Sequence, residues 1–261
     1  MNNQEIQIER MRSPQIRQRI EDGWTTVIFA CGAIEQHGPH LPLFMDAEHG
    51  TCLVLEIARR LGLTLVAPTL RVGCSEHHMA FSGTISLRQE TFDAIVTDYV
   101  TSLARHHFQR ILIVPTHGGN FVPLRELLPG LKVAAPEVQI EAHTDLMGLI
   151  DLWRKEAEDE LGLGSRVGGH ADIAETSILL SLYPELVRED LEEPGFQADL
   201  SEEVLARIIR DGLDSVTPNG ILGDARGATA GLGKRLVEAL AQETCRSFES
   251  LDDFRLKRMP R

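Results

Sequence analysis

Short apolar runs alternate with longer stretches in which apolar residues recur every three or four positions. Thr25–Cys31 is unbroken and rich in β-branched residues, which predicts a buried strand. Leu65–Ala67, Ile111–Pro115 and Val138–Ala142 predict three more. Ser13 is placed to cap a short helix from Pro14 to about Gly23. A helix over about Glu48–Leu61 puts Leu53, Ile57 and Leu61 on one face, and one over Gln89–His107 carries a stripe from Phe92 to Leu103. Further helical patterns cover Val122–Leu131, Leu146–Leu161, Asp172–Leu182, residues near 201–211 and Ala228–Leu251. This alternation predicts an α/β fold in one domain over 1–261, with a mostly parallel sheet and helices on both faces. Residues 1–12 read as an N-terminal arm. The acidic stretch 185–225 reads as irregular, with Asn219–Arg226 as a surface turn.

Composition narrows the class. The formal net charge is −13. A chain this acidic lacks the basic face that nucleic acid or an anionic membrane requires, so neither is expected as a partner. No apolar run approaches the roughly 20 residues of a membrane span. The N-terminal MNNQEIQIERMR has no signal-peptide core. Cys31, Cys52, Cys74 and Cys245 are scattered without a C-x-x-C, as expected of reduced thiols in a cytoplasmic protein.

Candidate chemistry concentrates in Gly32–Gly50, GAIEQHGPHLPLFMDAEHG, which follows the first strand. In an α/β fold the carboxyl ends of the strands carry the site. Glu35 and His37 are two apart, so an extended backbone points both the same way. Asp46 returns after a turn stiffened by Pro39 and Pro42. Two carboxylates and an imidazole suit zinc, manganese or iron. His117 and His143 close two further strands. His117, within THGGN, joins the candidate set, whereas His143 reads as structural and Glu141 as a surface residue. Gly118 and Gly119 allow close approach of a ligand to the backbone. Residues 69–89 form a long irregular segment with Glu76, His77 and His78, and loops of this kind are commonly functional. Cys74 reads as an inert thiol rather than a nucleophile. In GGHADIAETS, His170 precedes a helix that bears Glu175, a candidate ligand or proton acceptor.

GAIEQHGPHLPLFMD, SEHHMAFSGTISL, THGGN, GGHADIAETS and GDARGAT occur in this order. On these motifs, over residues 25–235, the chain resembles the creatininase (creatinine amidohydrolase) family. The resemblance implies a three-layer α/β/α sandwich and a binuclear centre of divalent metal ions, Zn with Zn, Mn or Fe. It also implies hydrolysis of C–N bonds in cyclic amides, formamides or peptides, and a homo-oligomer, commonly a hexamer. By position, Glu35 resembles a ligand of one metal, His37 a ligand of the other and Asp46 the bridging carboxylate. His117 completes the first set. Creatininase itself has a Glu where this chain has Gly119. That departure points to the HGGN branch, which includes formamide hydrolases and the mycofactocin-system peptidase, and leaves Glu175 to reach the second metal. The expected reaction is metal-assisted hydrolysis of a small-molecule amide by water activated between the two cations. His170 is expected to protonate the leaving nitrogen. Glu76, His77, Gly118, Gly119 and Trp153 are the expected substrate contacts. Two other readings stay open: a mononuclear iron oxygenase using His37, Asp46 and His117, and a non-catalytic binding protein on the same fold.

Overall fold

The computed structural model describes residues 5–256. Thr26–Cys31 (β1), Thr64–Val66 (β2), Arg110–Pro115 (β3) and Gln139–Ala142 (β4) form a parallel sheet in the order β2-β1-β3-β4. Val167–His170 (β5) and Leu222–Gly223 (β6) pair antiparallel beside it. The helices are Ser13–Glu21 (α1), Met45–Leu61 (α2), Gln89–Arg105 (α3), Gly118–Ala134 (α4), Leu146–Leu161 (α5), Ile173–Leu182 (α6), Glu202–Asp211 (α7) and Ala230–Leu256 (α8).

Period-two alternation in β1 builds both halves of the core. Val27, Phe29 and Cys31 pack with residues of α3 and α4, whereas Ile28 and Ala30 pack with α2, α5, α6 and α8. Side chains on both faces of β1 are fully buried, each large one worth roughly 1.5–3 kcal/mol. The result is the three-layer α/β/α sandwich with a mostly parallel sheet, its central strands β1 and β3 delivering their carboxyl ends to one edge.

Several local expectations change. Helix α2 begins at Met45 rather than Glu48, so Asp46 lies in a helical first turn, where the dipole favours a carboxylate. Helix α4 begins at Gly118, directly after His117. Asn219–Arg226 is not a surface turn. Ile221 is fully buried, and β6 within it pairs with β5. Glu141 is buried in β4, where the Arg110 guanidinium donates to it at 2.9 Å and also to the Phe248 carbonyl of α8. Part of the N-terminal arm lies on the sheet edge: Val66 N–H donates to the Ile6 carbonyl at 2.8 Å. Residues 1–4 of that arm lie outside the described residues.

Candidate metal centre

One close backbone contact and three hydrogen-bonded junctions bring the candidate side chains together. A Cβ on Gly32 would stand 2.7 Å from Ala47 Cα, so this glycine lets α2 pass against the end of β1. Thr116 Oγ1 donates to the Asp46 carbonyl at 2.8 Å and ties the same turn to the end of β3. Asn120 Nδ2 donates to the carbonyls of Cys31 and Gly32, while its Oδ1 accepts from Cys74 N–H at 3.0 Å. The 69–89 segment is thereby fastened over the strand ends. At the third hydrogen-bonded junction Asp172 caps α6, accepting from Ala174 and Glu175 N–H with one oxygen and from Gly168 and Gly169 N–H with the other. Between His170 and Asp172, Ala171 takes a left-handed φ of 51°, a conformation that costs a residue with a Cβ. That bend aims His170 and Glu175 at the same point.

Glu35, His37, Asp46, His117, His170 and Glu175 are all buried. Asp46 is the hub: its Oδ1 lies 3.4 Å from His37 Nε2 and its Oδ2 lies 3.4 Å from His117 Nδ1. Glu35 Oε1 is 3.1 Å from His117 Nδ1, and Glu175 Oε2 is 3.6 Å from His37 Nε2. Three triads have their ligand atoms within 4.8 Å of one another: Glu35–Asp46–His117, His37–Asp46–Glu175 and Glu35–His37–His170. In a tetrahedron with bonds of 2.0–2.1 Å, neighbouring ligand atoms are about 3.3 Å apart. The observed separations fit that. Both Glu35 carboxylate oxygens, Asp46 Oδ2 and His37 Nε2 are buried without a hydrogen-bond partner. Buried polar atoms without partners are costly, and divalent cations held between these groups would satisfy all four. The residues present therefore fit such a centre. His37, Asp46 and His117 do not form a triad of their own, because the two imidazoles meet opposite oxygens of Asp46.

Electrostatics point the same way. Burial pulls His37 down, but Asp46 and Glu175 outweigh it and hold its pKa at about 10. For His117, Glu35 and Asp46 likewise outweigh burial and hold it well above the usual imidazole value. Asp46 is driven well below the carboxylate range, since His37 and His117 overcome the opposing effect of burial. Burial, with Asp46 and Asp172 nearby, pushes Glu175 up to about 8. Burial and the charge on His37 hold His170 well below its ordinary value, so it is neutral near pH 7. The cluster thus gathers carboxylates that demand positive charge at its centre.

Of the expected substrate contacts, His77, Gly118 and Gly119 line a cavity above this cluster. Glu76 and Trp153 do not. Glu76 is exposed, because the 3-10 turn Glu76–His78 points His78 inward in its place, with Nε2 at 3.3 Å from Glu35 Oε1. Trp153 is buried in the core, its ring 5.7 Å from that of His49 on α2. Cys74 offers its backbone rather than its sulfur: His117 Nε2 donates to its carbonyl at 3.0 Å, and burial pushes its thiol up to about 11. Gln36 was not singled out by its position. It is buried, with Nε2 at 3.0 Å from His78 Nδ1 and 2.9 Å from His170 Nε2. Its amide is oriented by Gly38 N–H donating to Oε1 and by the Gly220 carbonyl accepting from Nε2. Only its place between Glu35 and His37 hinted at a role.

Residues 9–248 match the family described as creatininase, creatinine amidohydrolase. The chain is 33% identical over 231 residues to the mycofactocin precursor peptide peptidase of Mycobacterium ulcerans (strain Agy99), covering 84% of this chain and 83% of that protein. The chain belongs to the creatininase family of metal-dependent amidohydrolases. Within the family it is also 29% identical over 186 residues to the creatinine amidohydrolase of Pseudomonas putida, covering 66% and 70% of the two chains. A solved creatininase variant described as the Zn–Zn type superimposes with a TM-score of 0.78 at 22% identity, over 95% of this chain and 98% of that one. That likeness is one of fold. At position 119, where the resemblance implies a Glu in creatininase itself, the structure leaves no room for a longer side chain. A Cβ on Gly119 would collide with the Cys74 carbonyl oxygen and stand 2.9 Å from the His77 ring.

Proposed function

We propose that the protein is a binuclear metal-dependent hydrolase that cleaves a C–N bond in a small cyclic amide, formamide or peptide-like substrate. The carrying observation is Asp46, which presents one oxygen to His37 and the other to His117, as a carboxylate bridging two cations would. Glu35, Asp46 and His117 would hold one ion, and His37, Asp46 and Glu175 the other. When bound, such ions supply polarisation of the scissile carbonyl and a water of lowered pKa.

The chain's own groups do the rest. His170 closes the cavity floor and begins neutral, so it first accepts the proton released by the attacking water. It then hands that proton to the leaving nitrogen, the step expected of it from the sequence. Gln36 holds the rings of His170 and His78 in place. Gly118 leaves the cavity wall open, since a Cβ there would meet nothing within 4 Å, and His77 stands beside it. A homo-oligomer, a hexamer by resemblance, and a cytoplasmic location belong to the same proposal. Among the described residues no helix is long and apolar enough to cross a membrane.

The test is metal analysis of protein purified without chelator, with hydrolysis assayed over lactams, cyclic ureas, formamides and short peptides. About two divalent ions per chain are expected, together with turnover of at least one amide. An Asp46→Ala protein that kept both ions and full activity would refute the reading.

A further inference from the structure

Above the metal-ligand cluster lies a cavity of about 230 Å³. This is smaller than the roughly 300–1,000 Å³ of drug-sized ligand pockets. Its floor is polar, with Glu35, His117 and His170, and His77 and His78 stand at the side. Its walls are aliphatic. Val122 comes from α4, Met147 and Ile150 from α5, and Leu205, Ile208 and Ile209 from α7. Among the described residues, no Lys, Arg or Asp lines it. Val122, Met147 and Ile209 are 48%, 43% and 67% exposed, so three helices each leave a large apolar side chain in water around one opening. Apolar surface gathered in this way marks a binding surface, and this one leads directly to the candidate reacting centre.

We propose that this cavity selects its substrate by an uncharged apolar group attached next to the scissile amide, such as an alkyl or aryl side chain or acyl chain. Helix α7 is the specificity-determining wall. The inference rests on the hydrolase reading above. Against the aliphatic wall, a free carboxylate or ammonium would lose its water with no charged group of that wall to replace it. A ring bearing many hydroxyls would leave them without partners against the aliphatic wall. An apolar group loses nothing there, and covers surface that Val122, Met147 and Ile209 now expose.

Linear hydroxamates from acetohydroxamate to octanohydroxamate, titrated into zinc-loaded protein by calorimetry, test it. The hydroxamate head reports the metal site, and the tail reports the cavity. Affinity is expected to rise about two- to fourfold per added methylene until the cavity is filled. Leu205→Ser and Ile209→Ser are expected to flatten that rise, with acetohydroxamate as the internal reference. Binding of acetohydroxamate with no dependence on tail length would overturn the inference and leave the metal-site reading standing. No binding of any hydroxamate would bring down both. A flat series accompanied by a changed oligomeric mass in Ile209→Ser would assign the surface to a subunit contact and overturn the inference as well.

Discussion

Gly119 faces the carbonyl oxygen of Cys74 so closely that no side chain fits between them. The contact joins the first turn of α4 to the 69–89 segment, and His117 Nε2 donates to the same carbonyl at 3.0 Å. A glutamate at 119 therefore cannot simply be restored as a metal ligand. Gly119→Glu is expected to lower stability by about 1–3 kcal/mol through overpacking and to displace His117. It should lose activity without gaining creatinine hydrolysis. Thermal melts and a creatinine assay check this, and a stable, creatinine-hydrolysing variant would contradict it.

If Glu175 replaces that missing ligand, its removal should empty one position. Glu175→Gln is expected to reduce bound zinc from about two ions per chain to about one. His170→Gln should keep both ions and lower kcat by about 10²–10⁴-fold, the usual loss for a proton-transfer group. Metal content and kcat measured on both variants separate the two roles. The opposite pattern would exchange their assignments.

The raised pKa values set the pH behaviour of the metal-free protein. Glu175 moves from 4.5 to about 8 and His37 from 6.5 to about 10, so both bind protons more tightly folded than unfolded. Their stabilisation is fully present below the unfolded values and is lost as pH rises through the folded ones. Chelator-treated protein should therefore melt at lower temperature at pH 9 than at pH 6. Zinc competes with those same protons, so its affinity should rise over that window. The gap in Tm between zinc-loaded and chelated protein should widen with pH. Parallel curves would show that these groups are not the ligands.

Trp153 should be a core residue in its effects. Its indole Nε1 is buried without a partner, and its ring packs on His49. Trp153→Phe removes the orphaned N–H as well as part of the ring. The expected cost is under about 2 kcal/mol, with kcat/KM unchanged to within about twofold. A large rise in KM with unchanged Tm would return Trp153 to the substrate site.

Much of this was legible in the chain. The period-two apolar pattern of Thr26–Cys31 places alternate side chains in the two halves of the core, because a strand has no other way to bury both faces. The carboxylates and imidazoles in Gly32–Gly50 and in THGGN pointed to a cation site, and the structure gathers them as buried atoms without hydrogen-bond partners. Only the tertiary structure decided which way neighbouring residues face. Glu76 and His78 are two residues apart in a 3-10 turn, and one points to water while the other meets Glu35. Gln36 reaches His170, 134 positions away. Ile221 is buried because β6 folds back onto β5. Trp153 sits in the core because α5 packs on α8, and α7 brings its aliphatic side chains to the cavity. These outcomes depend on contacts between segments far apart in the chain, and local pattern carries no record of them.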